Sequence, residues 1–162
     1  MSYRKREFAD RMAMAWSGSE SPAVRESRRA ISMKKDKLED RTIVDRIQFF
    51  DHEDRQILFV DFSNCTASEV EQISRKVPDY VTTQPLGSVL ILTNFAGASF
   101  DRDALRTMQQ TAVFDKPYVR KSALIGTETL PLEFYKEMKS FSRRELPIFA
   151  NRDEALAWLV RS

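Results

Sequence analysis

From Ile47 onward, short β-rich apolar runs alternate with segments of helical periodicity. Ile47-Gln48-Phe49-Phe50 and Ile57-Leu58-Phe59-Val60-Asp61-Phe62 flank the polar Asp51-His52-Glu53-Asp54-Arg55, the pattern of a β-hairpin. Thr66 or Ser68 then stands where a helix cap is needed, and Val70, Ile73, Val77 and Val81 follow at helical spacing. Pro78 falls inside that run and predicts a kink or split there, with Pro85 and Gly87 ending the segment. Ser88 to Thr93 is a continuous apolar run, as expected of a strand buried on both faces. After a loop containing Gly97, Asp101 fits the N-cap of a helix reaching about Asp115, with Leu105, Met108 and Ala112 on one face.

Lys116-Pro117 stops that helix, and Ser122 to Gly126 reads as another buried strand. Thr129 to Phe141 predicts a helix with Pro131 in its first turn and Phe134, Met138 and Phe141 facing inward. Leu146 to Phe149 reads as a short strand, and Pro147 assigns it to an edge or a strand start. Asn151 caps a last helix over Asp153 to Val160, whose Ala155, Leu156 and Leu159 face the core. The resulting order, β-β-α-β-α-β-α-β-α, predicts an α/β fold. Its five-stranded sheet is mixed and mainly parallel, with an antiparallel pair at the start and about four helices.

Composition narrows the chemistry. Of 162 residues, 42% are hydrophobic and only 4 are Gly and 6 Pro, which suits one packed domain. A single cysteine, Cys65, rules out an intramolecular disulfide framework and a Cys-rich zinc site, and the single histidine, His52, argues against a His-based metal centre or triad. The reading is therefore of a protein that is no enzyme and carries no cofactor or metal. A net charge of +2 is too weak to indicate nucleic-acid binding.

That charge is uneven: residues 1–46 hold 12 basic and 8 acidic side chains, and residues 47–162 hold 14 and 16. A basic, flexible extension over 1–42 and a domain over 43–162 are expected, with Ser17 to Pro22 composed like a linker. Phe8, Met12 and Trp16 recur every four residues among Arg4, Lys5, Arg6 and Arg11. The segment reads either as a solvated tail or as a basic amphipathic helix for a membrane surface or partner. Met33-Lys34-Lys35-Asp36-Lys37 reads like the opening of a bacterial protein, which would make 1–32 an artefact of start-site choice. No apolar run approaches the roughly 20 residues of a membrane span, and no secretory h-region is present, so a cytoplasmic location is expected.

Several groups are candidate sites. The loop from Asn94 to Asp101 joins the carboxyl end of a central strand to a helix N-terminus, where open α/β sheets bind ligands and backbone N–H groups favour anions. Asn94, Phe95, Gly97, Ser99, Phe100 and Asp101 belong to it, and Ser99 and Asp101 are equally explained as helix caps. Phe134 and Met138, with Tyr135, Phe141, Phe95 and Phe100, pack a core or flank an apolar groove. His52 reads as a solvated turn residue and Cys65 as a buried structural thiol. Arg120-Lys121 and Arg143-Arg144 would form a phosphate-binding patch if they met in space.

Over roughly residues 43–162 the chain resembles the STAS domain family, and within it the bacterial SpoIIAA-like proteins grouped with STAS and CRAL-TRIO lipid-binding domains. The resemblance lies in Ile57 to Thr66, Ser88 to Gly97, Lys116-Pro117-Tyr118-Val119 and Phe149 to Leu159. It implies a four-helix, five-strand domain that binds proteins or small ligands and has no known catalytic residues. In anti-anti-sigma relatives a phosphorylated serine opens the second helix within an Asp-Ser-Ser/Thr-Gly-Leu-type motif. Here the stretch is Thr93-Asn94-Phe95-Ala96-Gly97-Ala98-Ser99, which keeps Gly97, lacks the aspartate and serine pair, and leaves Ser99 as the phosphorylation candidate. The leading functional expectation is a non-enzymatic protein-interaction module in bacterial signalling, pairing with a protein partner or with itself. The alternative is a protein that binds a small apolar or anionic ligand, or a lipid, in a groove near the third strand and third helix.

Overall fold

An uninterrupted apolar strand is stable only when protein covers both its faces. The computed structural model places Val89–Asn94 (β3) at the centre of a five-stranded sheet, with its first five residues buried. The structure describes residues 21–28 and 43–161. The chain divides into two units, 1–41 and 42–162. In the first, residues 22–28 are helical. The expectations for Phe8, Met12 and Trp16, for the Ser17 to Glu20 part of the linker and for the Met33 start lie outside the described residues. Among the described residues no helix is long and apolar enough to cross a membrane.

The second unit opens with β1 (Ile47–His52) and β2 (Arg55–Asp61), an antiparallel pair in which Phe49 faces Leu58. The polar stretch between the apolar runs mostly extends the strands, leaving a two-residue turn at Glu53 and Asp54, both with positive φ. That twist matches the flanking strands, which is why tight hairpins use it. Then follow α1 (Ala67–Val81), β3, α2 (Arg102–Asp115), β4 (Val119–Ile125), α3 (Leu132–Ser142), β5 (Ile148–Phe149) and α4 (Arg152–Val160). The strand order is β1-β2-β3-β4-β5, with every pair after the first parallel. The order and the antiparallel start agree with the sequence reading, as does the edge position of the two-residue β5.

The sheet advances one strand at a time in one direction, so right-handed crossovers send α1, α2 and α3 to the same face. There Val70, Ile73, Val77, Ala104, Met108, Phe134 and Met138 pack against Leu58, Val60, Ile91 and Leu124. Among the described residues α4 covers the other face, placing Ala155, Leu156 and Leu159 on Ile57, Leu90, Leu92 and Ala123. From the first residue of α4 the Arg152 guanidinium lies 4.9 Å from both the Phe50 and the Phe59 ring centres, extending the helix's cover over that aromatic surface.

The caps fall where the sequence places them. Thr66 forms a reciprocal capping box with Glu69, Asp101 Oδ1 accepts from the Ala104 N–H at 2.8 Å, and Asn151 Oδ1 accepts from the Glu154 N–H at 2.9 Å.

Three local expectations are corrected. Pro78 neither splits nor ends α1, which continues to Val81. Proline leaves the carbonyl four residues back without its helical donor, and here the Thr111 hydroxyl of α2 donates to that Ser74 oxygen at 3.0 Å. Phe141 does not face inward: it is 65% exposed, because the buried stripe of α3 keeps a four-residue step through Phe134, Met138 and Ser142. Pro131 precedes α3 as its N-cap instead of lying in its first turn, after a 3-10 turn at Thr127–Thr129.

Candidate functional site

The loops at the carboxyl end of the sheet are stitched together. Phe62 N–H donates to Asn94 O, Asn64 N–H to Ala96 O, and Ser99 N–H to Cys65 O, each within 2.9 Å. Asn94 Oδ1 accepts from the Ala96 N–H at 3.0 Å, Phe95 N–H reaches Ile125 O, and the Thr129 hydroxyl donates to Ala98 O at 2.7 Å. Gly126 is needed for this closeness: its φ is positive, and a Cβ there would lie 2.6 Å from Ala96 N and 2.7 Å from Asn94 Oδ1. Gly97 sits as tightly against the Asn64 side chain. Backbone N–H groups that an anion would use at Phe95, Ala96, Ala98 and Ser99 are thus engaged within the protein. Ser99 itself is exposed two residues before the N-cap Asp101.

The sequence-derived aromatic residues separate into two places. Phe62 stacks on Phe95 with ring centres 5.2 Å apart, and Phe95 meets Phe100 edge-on at 5.8 Å. Phe100, Asp101 and Phe134 line an open groove of about 560 Å³ between α2 and α3. Phe95 and Met138 instead turn inward and line a partly open cavity of about 80 Å³ between the sheet and α1, α2 and α3. The body of this cavity is apolar, including Val60, Val77, Ile91, Met108 and Leu146. One wall is polar, formed by Ser74, Thr111, Asp115, Ser122 and Arg144.

Asp115 is the unusual member. It ends α2, where the helix dipole disfavours an anion. It is 2% exposed, and its Oδ1 has no hydrogen-bond partner. Burial pushes its carboxyl up to about 7, against the opposing pull of the Arg144 guanidinium. Arg144 follows Arg143, whose left-handed backbone turns the chain out of α3. Arg144 then donates to Ala112 O at 3.2 Å and to the Ser122 hydroxyl at 2.6 Å, satisfying a carbonyl in the last turn of α2. Burial lowers its pKa, with Asp115 opposing. A buried acceptor without a partner commonly costs about 1–3 kcal/mol, and more when charged. Its place in the polar lining of a cavity makes Asp115 a candidate binding group.

Sequence reasoning missed Asp115 and took Arg144 for half of a surface pair. The inward stripe of α2 runs through Ala104, Met108 and Ala112, and three residues on it reaches Asp115. An acid at the next position of an apolar stripe was the available signal. Lys121 and Arg144 of the proposed basic patch do not meet: Lys121 Nζ donates to Trp158 O at 3.0 Å on the α4 side of the sheet, whereas Arg144 enters the opposite layer. Lys121 also lies over the Trp158 ring. His52 and Cys65 stand at opposite ends of the seven-residue β2, and burial raises the Cys65 thiol. Among the described residues no three His, Cys, Asp or Glu side chains are placed to hold a metal.

No family model and no curated protein matches this chain. Among solved structures it is similar to an uncharacterized protein of the DUF3478 family with a SpoIIAA-like fold from Shewanella loihica. That match has a TM-score of 0.56 and 16% identity, covering 70% of this chain and 91% of the other. The chain has a SpoIIAA-like α/β fold, as the resemblance implied.

Proposed function

We propose that this SpoIIAA-like domain is a non-enzymatic STAS-like interaction module of bacterial signalling or regulation whose state is set by a small, largely apolar ligand. The ligand site is the cavity beneath α2 and α3. The observation that carries the reading is the buried, unpartnered Asp115 Oδ1 at the polar end of that cavity. Two residues picked from the sequence for an apolar-ligand site, Phe95 and Met138, line the same space. The volume, about 80 Å³, is roughly half of the about 150 Å³ that holds benzene, which favours a short molecule over an acyl chain. The absence of catalysis is supported by the separation of His52 from Cys65 along β2 and by the burial of the thiol.

Methyl NMR of the full chain labelled at methionine tests the reading. Met108 and Met138 line the cavity, and the other four methionines, in residues 1–33, serve as references. Xenon is expected to shift the Met108 and Met138 methyl resonances saturably. Equal, non-saturating responses from all six would contradict a ligand-sized interior site.

A second reading concerns a protein partner. Val113, Phe114 and Phe141 are 41%, 56% and 65% exposed and line one apolar groove on α2 and α3. We assign that surface to a second copy of the chain. Sedimentation showing a monomer at every concentration would remove this second reading alone.

A further inference from the structure

We propose that the cavity selects a neutral ligand of about three to four heavy atoms carrying a hydroxyl, a group that both donates and accepts a hydrogen bond. This rests on the reading of the cavity as a ligand site and adds the ligand's chemical class. Asp115 Oδ1 offers an unsatisfied acceptor. The Arg144 guanidinium carries five N–H donors, of which its Nη1 and Nη2 already serve Ala112 O and Ser122 Oγ. A hydroxyl donates to the first group and accepts from the second.

Charge makes the same selection. When both are ionised, Asp115 and Arg144 sum to zero, so a neutral guest adds no buried charge. A carboxylate placed against Arg144 also faces Asp115, and an ammonium placed against Asp115 also faces Arg144, so either ion leaves one like-charge contact in a medium that screens poorly. The apolar remainder of the cavity, with Val77, Met108 and Leu146, takes the hydrocarbon part of the ligand. Scaling benzene's six heavy atoms from its cavity of about 150 Å³ to about 80 Å³ gives about three, with a four-atom alcohol at the upper end of the size.

The test is titration of the methionine-labelled full chain with 1-propanol, propionate and propylammonium at about pH 8.5, where Asp115 is ionised, read at the Met108 and Met138 methyls. Propanol is expected to bind about fivefold or more tighter than either ion, the factor of one neutral hydrogen bond. In Asp115→Asn, Arg144 is left as the only charge of the pair, and the order is expected to invert in favour of propionate. Tightest binding by propionate or propylammonium in the wild type overturns the hydroxyl assignment while leaving the cavity reading intact. A xenon response with no response to any of the three does the same. Silence towards xenon and all three compounds overturns both. The wild-type comparison stands by itself should Asp115→Asn fail to fold.

Discussion

The titration of Asp115 makes stability depend on pH in a direction opposite to that of most carboxylates. In the unfolded chain the carboxyl has its ordinary value of 3.8, and in the folded protein it is pushed up to about 7. Between those values the folded state holds a proton that the unfolded state has lost. Unfolding free energy therefore falls as pH rises through the window. The contribution is fully present below 3.8 and lost above about 7. Across the whole interval the loss is about 4 kcal/mol at 1.36 kcal/mol per pKa unit, and between about pH 4.5 and about pH 7.5 it is about 3 kcal/mol. Asp115→Asn keeps the shape and removes the titration, so the difference between wild type and variant isolates this group from every other carboxylate. Urea unfolding of both proteins at those two pH values is the assay. The variant is expected to gain on the wild type by about 3 kcal/mol on going to the higher pH. A difference that stays constant within about 1 kcal/mol would refute the argument, meaning that Asp115 is hydrated or satisfied in the folded protein.

Further substitutions test the stitching of the fold. Gly126→Ala drives a Cβ into Ala96 N and Asn94 Oδ1 at a positive φ. Chemical denaturation is expected to show a loss of about 2 kcal/mol or more, and a neutral result would contradict the close approach of these loops. Thr111→Val removes the donor to the Ser74 carbonyl and is expected to cost about 1–3 kcal/mol. In a Pro78→Ala background, where the helical N–H returns, that cost should shrink by at least half in a double-mutant cycle. Asp54→Gly relieves a non-glycine residue at φ 62 in the hairpin turn. It is expected to raise the melting temperature through a gain of about 0.5–1 kcal/mol.

What could be read from the sequence depended on how far each signal reaches along the chain. Thr66, Asp101 and Asn151 cap their helices through bonds spanning three residues; Asp101 and Asn151 were identifiable from their neighbours, and Thr66 was one of two candidates with Ser68. The apolar run at Val89 to Thr93 identified the central strand because burial on both faces leaves no polar alternation. Phe141 was misplaced because steps of three and four both fit a helix, and only the position of the sheet decides for Ser142. Pro78 was misread because its rescue comes from Thr111, 33 positions on and on another helix. The Asp115 and Arg144 site was hidden for the same reason. Each looks like an ordinary charge among charged neighbours, and only the packing of α2 beside the segment after α3 turns both inward.

The most direct test is a crystal structure of the full chain grown in the presence of 1-propanol, examined in the electron density beside Asp115. A hydroxyl within hydrogen-bond reach of both Asp115 Oδ1 and the Arg144 guanidinium, with its carbons against Met108 and Leu146, is the expected result. A collapsed interior in which Arg144 bonds Asp115 directly and no guest fits between them would contradict the account.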